Sequence, residues 1–316
     1  MSFSQEVKDE LIGVRLRRDD DGAKLVAGAV LSSAVLKYSR RLRAWGLNLV
    51  SENEACINFI AKLALRCYEL EHVIVLKEHQ RLKALNTELF LYGKDLDRLC
   101  VDAGLVSYDQ NGEKSYVTSI PKGLEAEHSL RAFIRGAFLM CGTVASPEKS
   151  CQAELVLKNE AAAKGIARLL TERGIPPKLT TRRNLFIVYM KNGDTVEDFL
   201  TFMGAGESML LLSEQRMIRG AANKANREIN CLSANLEKAA RASAQQMEDI
   251  ELVITNLGAD ALSEELYETA RARMDNPELT LSELAEKLEV GRSAVNYRLK
   301  KIAGLADEIR SGNMEQ

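Results

Sequence analysis

Several polar residues near the carboxyl end of the chain have side chains that can hydrogen-bond DNA. Arginine can bond guanine through two donors, asparagine can bond adenine, and serine and tyrosine hydroxyls can bond phosphate. These residues flank the apolar stripe that Val295, Leu299 and Ile302 would form in a helix. We therefore predict a DNA contact surface made of these residues: Arg292, Ser293, Asn296, Tyr297, Arg298, Lys300 and Lys301.

A helix-turn-helix pattern over about residues 280–305 would position this surface. Thr280 precedes Glu283 by three residues, which is the spacing of a capping box at the start of a helix. Val290 and Gly291 predict a tight break, and a second helix is expected to begin near Ser293. Two helices joined by a short turn are typical of DNA-binding proteins, in which the second helix enters the major groove.

The second predicted helix is basic, whereas the segment before it is acidic. From Asp260 to Glu289 there are nine acidic and three basic residues, whereas residues 291–301 contain four basic residues and no acid. Positive potential is therefore concentrated on the second helix, where phosphates and base edges would lie. The alternative is an ordinary helical hairpin with a basic end.

The cysteines and histidines do not have the spacing of a metal site. The chain has six cysteines and three histidines, with no Cys-x-x-Cys and no histidine at zinc-ligand spacing. We expect neither a disulfide framework nor a structural zinc site, and we expect no cofactor.

Apolar periodicity over the first two hundred residues predicts an internal repeat. A small-residue helix around Gly28 is followed by a hairpin over 40–50, a helix over 54–69, strands over 73–77 and 88–92, and a helix over 95–104. The same order recurs after a second small-residue helix that contains Gly136. We predict an α+β module of two αββαββα repeats, at about 20–106 and 127–206, with the two glycine-bearing helices packed closely together.

This arrangement resembles the LAGLIDADG homing-endonuclease fold, and residues 135–144 (RGAFLMCGTV) match its helix and closing glycine best. In the active enzymes each such helix ends in an acid that binds a divalent metal. The equivalent positions are predicted to be Ser32 and Cys141. A hydroxyl and a thiol cannot replace two carboxylates as ligands of a hard cation. We therefore expect no metal, no catalytic residue and no enzyme activity; a metal-dependent nuclease that uses other acids is the alternative.

Two groups of basic residues in this module form a possible secondary surface for DNA or for a protein partner. The first group is Lys37, Arg40, Arg41 and Arg43, and the second is Lys178, Arg182 and Arg183. Exposed strands often carry such cations, which also discourage edge-to-edge pairing, so solvated hairpin faces are an equal alternative.

Composition limits the class of protein. The formal net charge of −2 excludes a polycation that coats nucleic acid along its whole length. The longest uncharged apolar stretch, 25–36, is shorter than the ~20 residues that a membrane span needs. We expect a cytoplasmic, nucleoid-associated protein with no membrane partner.

The whole pattern resembles the WhiA family of bacterial transcriptional regulators. The resemblance rests on residues 1–11 (MSFSQEVKDEL), on the helix over 131–142, on Asn230-Cys231 with Ala234-Asn235, and on residues 293–299 (SAVNYRL). It implies a sequence-specific DNA-binding regulator linked to cell division, chromosome segregation and, in some bacteria, sporulation. In some members the implied partner is an iron–sulfur regulator of the WhiB type.

The predicted organisation has three parts: a degenerate LAGLIDADG-like module at 1–206, a helical linker at 207–258 and an all-α helix-turn-helix domain at 259–316. The expected partner is double-stranded DNA, with a possible protein partner on the first module. A metal-dependent endonuclease and an interaction scaffold that does not bind DNA are the alternatives.

Overall fold

The computed structural model describes residues 2–16, 18, 20–79 and 84–311, and the chain divides into two compact units, residues 1–220 and 221–316. The first unit contains the two predicted αββαββα repeats. A helix α1 (Phe3–Gly13) precedes them. The first repeat consists of α2 (Asp21–Ser33), β1 (Val35–Ser39), β2 (Ala44–Ser51), α3 (Glu54–Cys67), β3 (Leu70–His79), β4 (Ala84–Gly93) and α4 (Leu96–Asp102).

A short hairpin separates the repeats, and the second repeat has the same element order as the first. The hairpin is formed by β5 (Val106–Tyr108) and β6 (Lys114–Tyr116). The second repeat consists of α5 (Glu127–Cys141), β7 (Gly142–Val144), β8 (Ala153–Leu157), α6 (Glu160–Thr171), β9 (Lys178–Arg182), β10 (Leu185–Met190) and α7 (Gly193–Met203). Gly204 follows α7 with a left-handed backbone (φ +97°), which glycine adopts without a steric penalty.

Each repeat builds one four-stranded antiparallel sheet. The strand orders are β1-β2-β4-β3 and β7-β8-β10-β9, so the two sheets have the same topology. Side chains alternate between the faces of a strand, and Leu47 and Leu49 of β2 oppose Leu91 and Leu89 of β4 in register. All four leucines are fully buried, which identifies the face that packs on the helices.

The helices α2 and α5 pack backbone to backbone, as their glycines predict. A Cβ added at Gly28 would lie 1.9 Å from the carbonyl oxygen of Phe133, and one added at Gly136 would lie 1.9 Å from that of Leu25. The two contacts are symmetric because both pairs of positions, 28 with 136 and 25 with 133, are 108 residues apart. A pseudo-twofold axis therefore relates the repeats.

Helix α1 is an element that the periodicity of the sequence did not predict. Its Val7 and Leu11 are fully buried in the core of the first unit. The Glu10 carboxylate accepts hydrogen bonds from the backbone N–H groups of Glu207 and Ser208, at 2.8 and 2.9 Å. Free N–H groups at a helix start favour an acid nearby, so Glu10 caps the next helix, α8 (Gly206–Leu257).

The second unit is helical throughout its described residues. After α8 ends at Leu257, as predicted, come a short 3-10 turn (Ala259–Ala261), α9 (Glu264–Asp275), α10 (Leu281–Lys287) and α11 (Arg292–Arg310). Ile250 and Val253 of α8 are fully buried in the same core as Leu284, Val295 and other apolar residues of α9–α11. Among the described residues, no helix is long and apolar enough to cross a membrane.

Candidate nucleic-acid interface

The capping box at Thr280 fixes the start of α10. The Thr280 hydroxyl accepts from the Glu283 N–H at 3.3 Å, and the Glu283 carboxylate accepts from the Thr280 N–H at 2.7 Å. These bonds satisfy two N–H groups that a helix start leaves free. They also favour the charged carboxylate, so the pKa of Glu283 lies below its usual value.

Replacing Thr280 with alanine is expected to destabilise the second unit by about 1 kcal/mol, the usual cost of losing an N-cap. For a unit of this size that corresponds to a fall of roughly 4–8 °C in the melting temperature, measured by calorimetry at pH 7. Because the pKa of Glu283 is lowered on folding, its own contribution is present above its unfolded pKa and is lost as pH falls through the folded value. The Thr280 hydroxyl bonds a backbone N–H that does not titrate, so the difference between the two proteins should remain at acidic pH, where both lose the contribution of the Glu283 carboxylate. Equal melting temperatures of the two proteins at pH 7 would contradict the capping box.

The turn between α10 and α11 differs from the prediction in two respects. The sequence pointed to Gly291 as the special position, but Gly291 has an extended backbone (φ −74°) and is the N-cap of α11. The left-handed residue is Glu289, with φ +51°. Glycine is therefore not required at 291 for its backbone conformation, and α11 begins at Arg292, one residue before the predicted start.

Helix α11 is held by the apolar face that the sequence predicts. Val295, Leu299 and Ile302 are at most 3% exposed and belong to the core of the second unit. Near its carboxyl end, Arg310 Nη2 lies 2.6 Å from the Asp249 carboxylate of α8. The helix is thus held by its buried stripe and by an ion pair near its carboxyl end.

Six of the seven predicted contact residues lie in the first ten residues of α11 and are not part of its buried stripe. Arg292, Ser293, Tyr297, Lys300 and Lys301 are exposed, and Asn296 is half-buried among them. Tyr297 is 66% exposed, which is unusual for an aromatic ring. Among the residues that the structure describes, Arg292, Lys300 and Lys301 form no ion pair, so their charges are available to an external anion.

Arg298 is placed apart from these six residues. Its side chain is 13% exposed, and its guanidinium lies 3.2 Å from the Glu265 carboxylate and donates to the Thr269 hydroxyl at 3.4 Å. Glu265 and Thr269 belong to α9, so Arg298 joins the two helices. Its charge is therefore paired within the unit.

A buried arginine that the sequence did not single out supports the loop before α10. Arg273 is 2% exposed and donates from Nη1 to the carbonyl oxygens of Leu279 (2.6 Å) and Asn276 (3.4 Å). Burial lowers the pKa of Arg273. The Ser243 hydroxyl of α8 donates to the Pro277 carbonyl of the same loop at 2.6 Å. No sequence motif signals this role, because Arg273 contacts carbonyls rather than charged partners.

In the first unit, the carboxyl ends of α2 and α5 carry no carboxylate at the expected acidic positions. The 108-residue offset pairs Cys141 with Ser33, the last residue of α2, and pairs Ser32 with Met140. The predicted pairing of Ser32 with Cys141 is therefore corrected by one residue. Ser32 is buried and its hydroxyl donates to the Ala29 carbonyl at 3.0 Å. Burial raises the pKa of the Cys141 thiol to about 11, so it stays protonated and is a poor metal ligand at neutral pH.

The other ends of the same helices bring together three groups of the metal-ligand type. Asp20, Asp21 and His128 each offer one atom within 4.8 Å of the others. His128 Nδ1 lies 2.8 Å from Asp21 Oδ1, and Asp21 Oδ2 accepts from the Arg18 N–H at 3.1 Å. Both oxygens of Asp21 are thus engaged inside the protein, where they link the amino ends of α2 and α5.

The two basic groups of the first unit lie on hairpins that the pseudo-symmetry does not relate. Lys37 is on β1 and the other three members of its group, Arg40, Arg41 and Arg43, are in the β1–β2 turn. The second group, Lys178, Arg182 and Arg183, lies on β9 and in the β9–β10 turn. All seven side chains are exposed, and none forms an ion pair among the described residues. The second group is therefore not the structural counterpart of the first.

Comparison with known proteins connects both units to one family. Residues 225–306 match the model of the WhiA C-terminal HTH domain, and residues 130–222 match that of the WhiA LAGLIDADG-like domain. A probable cell division protein WhiA from Clostridium acetobutylicum is 36% identical over 98% of this chain and 99% of its own length. A protein of the same name from Limosilactobacillus reuteri is 33% identical over the whole of both chains.

Among solved structures, full-length DUF199/WhiA from Thermatoga maritima covers 98% of this chain and 99% of its own, with a TM-score of 0.57. At 22% identity this match shows the shared fold, and the two family models name its parts as a LAGLIDADG-like domain and an HTH domain. The identity of the two curated relatives extends over the full chain. The chain therefore belongs to the WhiA family.

Proposed function

We propose that this chain is a sequence-specific, double-stranded-DNA-binding transcriptional regulator with α11 as its recognition helix. The observation that carries the proposal is the exposed face of α11, where Arg292, Lys300 and Lys301 have no described ion-pair partner. A helix fits the major groove, and cations beside hydroxyl and amide groups supply both phosphate and base contacts. The curated relatives are named probable cell division proteins, which supports a link to cell division. Regulation of chromosome segregation and, in some bacteria, of sporulation is part of the same proposal.

The proposed contact set is Arg292, Ser293, Asn296, Tyr297, Lys300 and Lys301. Arg298 is left out because its pair with Glu265 holds α11 to α9. The length of α11 supports this assignment, since its first ten residues carry the contact set while its last turns pack through Ala306 and Arg310. We propose residues 259–316, with the end of α8 packed in their core, as the DNA-binding part, and nucleoid association as its consequence.

We propose that the first module, residues 1–206, is not a nuclease and contributes architecture or partner contacts. Ser33 and Cys141 occupy the positions at which two carboxylates would be required. The exposed cations of the β1–β2 and β9–β10 hairpins provide a secondary surface for DNA or for a protein partner. Residues 207–258 connect the two parts.

Binding of the wild-type chain to duplex fragments of its own promoter region tests the proposal. If Arg292, Lys300 and Lys301 each neutralise one phosphate, log K should fall against log salt concentration with a slope of about −2.7 or steeper. Fluorescence anisotropy over a series of salt concentrations measures this slope. Absence of binding even at low salt would favour an interaction scaffold and contradict the proposal.

Supercoiled plasmid incubated with the protein and magnesium or manganese is expected to stay intact, because a hydroxyl and a protonated thiol cannot hold the metal that activates hydrolysis. Agarose electrophoresis measures nicking. Cleavage that increases with protein concentration, disappears with a chelator and co-purifies with the chain would show that other acids have taken over the reaction.

A further inference from the structure

The middle of α8 has an apolar face that no described part of the chain covers. Every residue from 221 to 242 is exposed. Ile229, Leu232 and Leu236 are 58%, 63% and 68% exposed, respectively. Exposed branched aliphatic side chains clustered on one helix normally mark an interaction surface.

The apolar residues of this segment follow a heptad pattern. Successive members are separated by alternating steps of three and four residues, as in a coiled-coil seam, and they are Ala222, Ala225, Ile229, Leu232, Leu236 and Ala239. The same register continues through Ser243 and Gln246 to Ile250 and Val253. Ile250 and Val253 are fully buried by the other helices of the second unit. The same face of α8 is therefore covered by the other helices of the second unit after residue 242 and is exposed from residue 221 to residue 242.

The positions that flank the exposed seam carry a single charge. The positions beside it are almost all small or neutral, with Glu228 the single charged residue among them: Ala221, Asn226, Glu228, Ser233, Asn235, Ala240 and Ala242. The cations of the segment, Lys224, Arg227, Lys238 and Arg241, lie on the opposite side of the helix. An isolated helix is only marginally stable in water, so the stability of this segment depends on packing of its apolar face.

We propose that residues 221–242 of α8 pair with the same segment of a second copy of the chain as an antiparallel two-helix coiled coil. The seam is complementary to itself in this orientation. At the centre of the pair, Ile229 packs on Leu232 of the second copy, so two large residues meet. On either side of the centre, Leu236 packs on Ala225 of the second copy, so a large residue meets a small one. Glu228 faces the neutral Asn235 of the second copy, so no like charges meet.

A parallel pair fits the same residues less well. In a parallel pair, Ala222, Ala225 and Ala239 would each face the same alanine of the second copy. The isoleucine and leucine layers would hold the two helices too far apart for these alanines to touch, which would leave gaps. Because the seam has three large residues and three alanines per chain, the pairing is expected to be weak enough to depend on protein concentration.

Sedimentation velocity of the full chain at increasing concentrations tests the pairing. The wild type is expected to shift from monomer to dimer, and the double variant L232E/L236E is expected to remain a monomer throughout. Both leucines are exposed and glutamate favours helix, so the variant should keep its fold, which circular dichroism checks. The matched control A234E adds a charge on the opposite side of the helix and should dimerise like the wild type. A wild type that stays monomeric, or an L232E/L236E variant that dimerises normally, would overturn the proposal.

Disulfide trapping tests the orientation. In a C231S background, a mixture of I229C and L232C proteins, one of them tagged, should give the crosslinked heterodimer far faster than either protein alone gives a homodimer. Fast crosslinking of each variant with itself would show a parallel pair and would overturn the antiparallel register.

Discussion

Replacing Arg292, Asn296 and Lys300 together with alanine is expected to weaken binding to promoter DNA by at least about 30-fold. A well-placed base contact contributes roughly 1–3 kcal/mol, and the variant removes the arginine and asparagine groups best suited to guanine and adenine. Loss of the Arg292 and Lys300 charges should also make the salt dependence shallower by about 1.8 units of slope. Fluorescence anisotropy with the same fragments measures both quantities.

The fold should tolerate this triple change because two of the side chains are exposed and the third is half-buried, outside the core of the second unit. Arg271→Ala is a suitable control, since Arg271 is a 74% exposed arginine of α9 that pairs with Asp275. The control should bind DNA as the wild type does. A triple variant with unchanged affinity and unchanged salt slope would rule out α11 as the recognition helix.

Substituting alanine for Gly136 is expected to destabilise the first unit by about 3 kcal/mol or more. The added Cβ would lie 1.9 Å from a backbone oxygen of α2, so the two helices would have to separate along their whole contact. In a unit of this size the melting temperature should fall by roughly 6–12 °C. Gly28→Ala should behave alike, because the pseudo-twofold axis places its Cβ equally close to the Phe133 oxygen.

Gly220→Ala provides the matched control for both glycine variants. Gly220 lies inside α8, and nothing is within 4 Å of a Cβ built there. Its replacement should stabilise the helix slightly, by up to about 1 kcal/mol, because alanine is the better helix former. If Gly136→Ala unfolded at the same temperature as the wild type, close packing of α2 on α5 could not be what holds the repeats together.

The elements with strong local signals were predictable from the sequence. The helix predicted over 54–69, the strands predicted over 73–77 and 88–92 and the capping box of α10 depend on neighbouring residues, and the structure confirms them. Helix α1 was missed, although it buries Val7 and Leu11, because its short apolar stripe is interrupted by acids and lysine. The β5–β6 hairpin was missed because its strands are short and mostly exposed.

Features that depend on contacts between distant residues could not be read from local patterns. The first repeat has Ala34 where the second has the closing Gly142, so the sequence offered no glycine to align on and the prediction of Ser32 missed Ser33 by one residue. Only the glycine contacts across α2 and α5 resolve it. Arg298 looks like its basic neighbours in the sequence, and its pairing with Glu265, on a different helix, separates it from them. The sequence shows which residues are basic, whereas packing decides which of those charges remain unpaired.

A genome-wide map of bound DNA in the native host, compared between the wild type and R292A/N296A/K300A, tests the assignment of α11 as the helix that reads DNA. If α11 reads DNA, the wild type should occupy discrete sites that share one sequence motif, and a variant present at the same level should lose those sites. A wild-type map without enriched sites, or a variant map with the same sites at the same strength, would contradict the assignment of α11 as the helix that reads DNA.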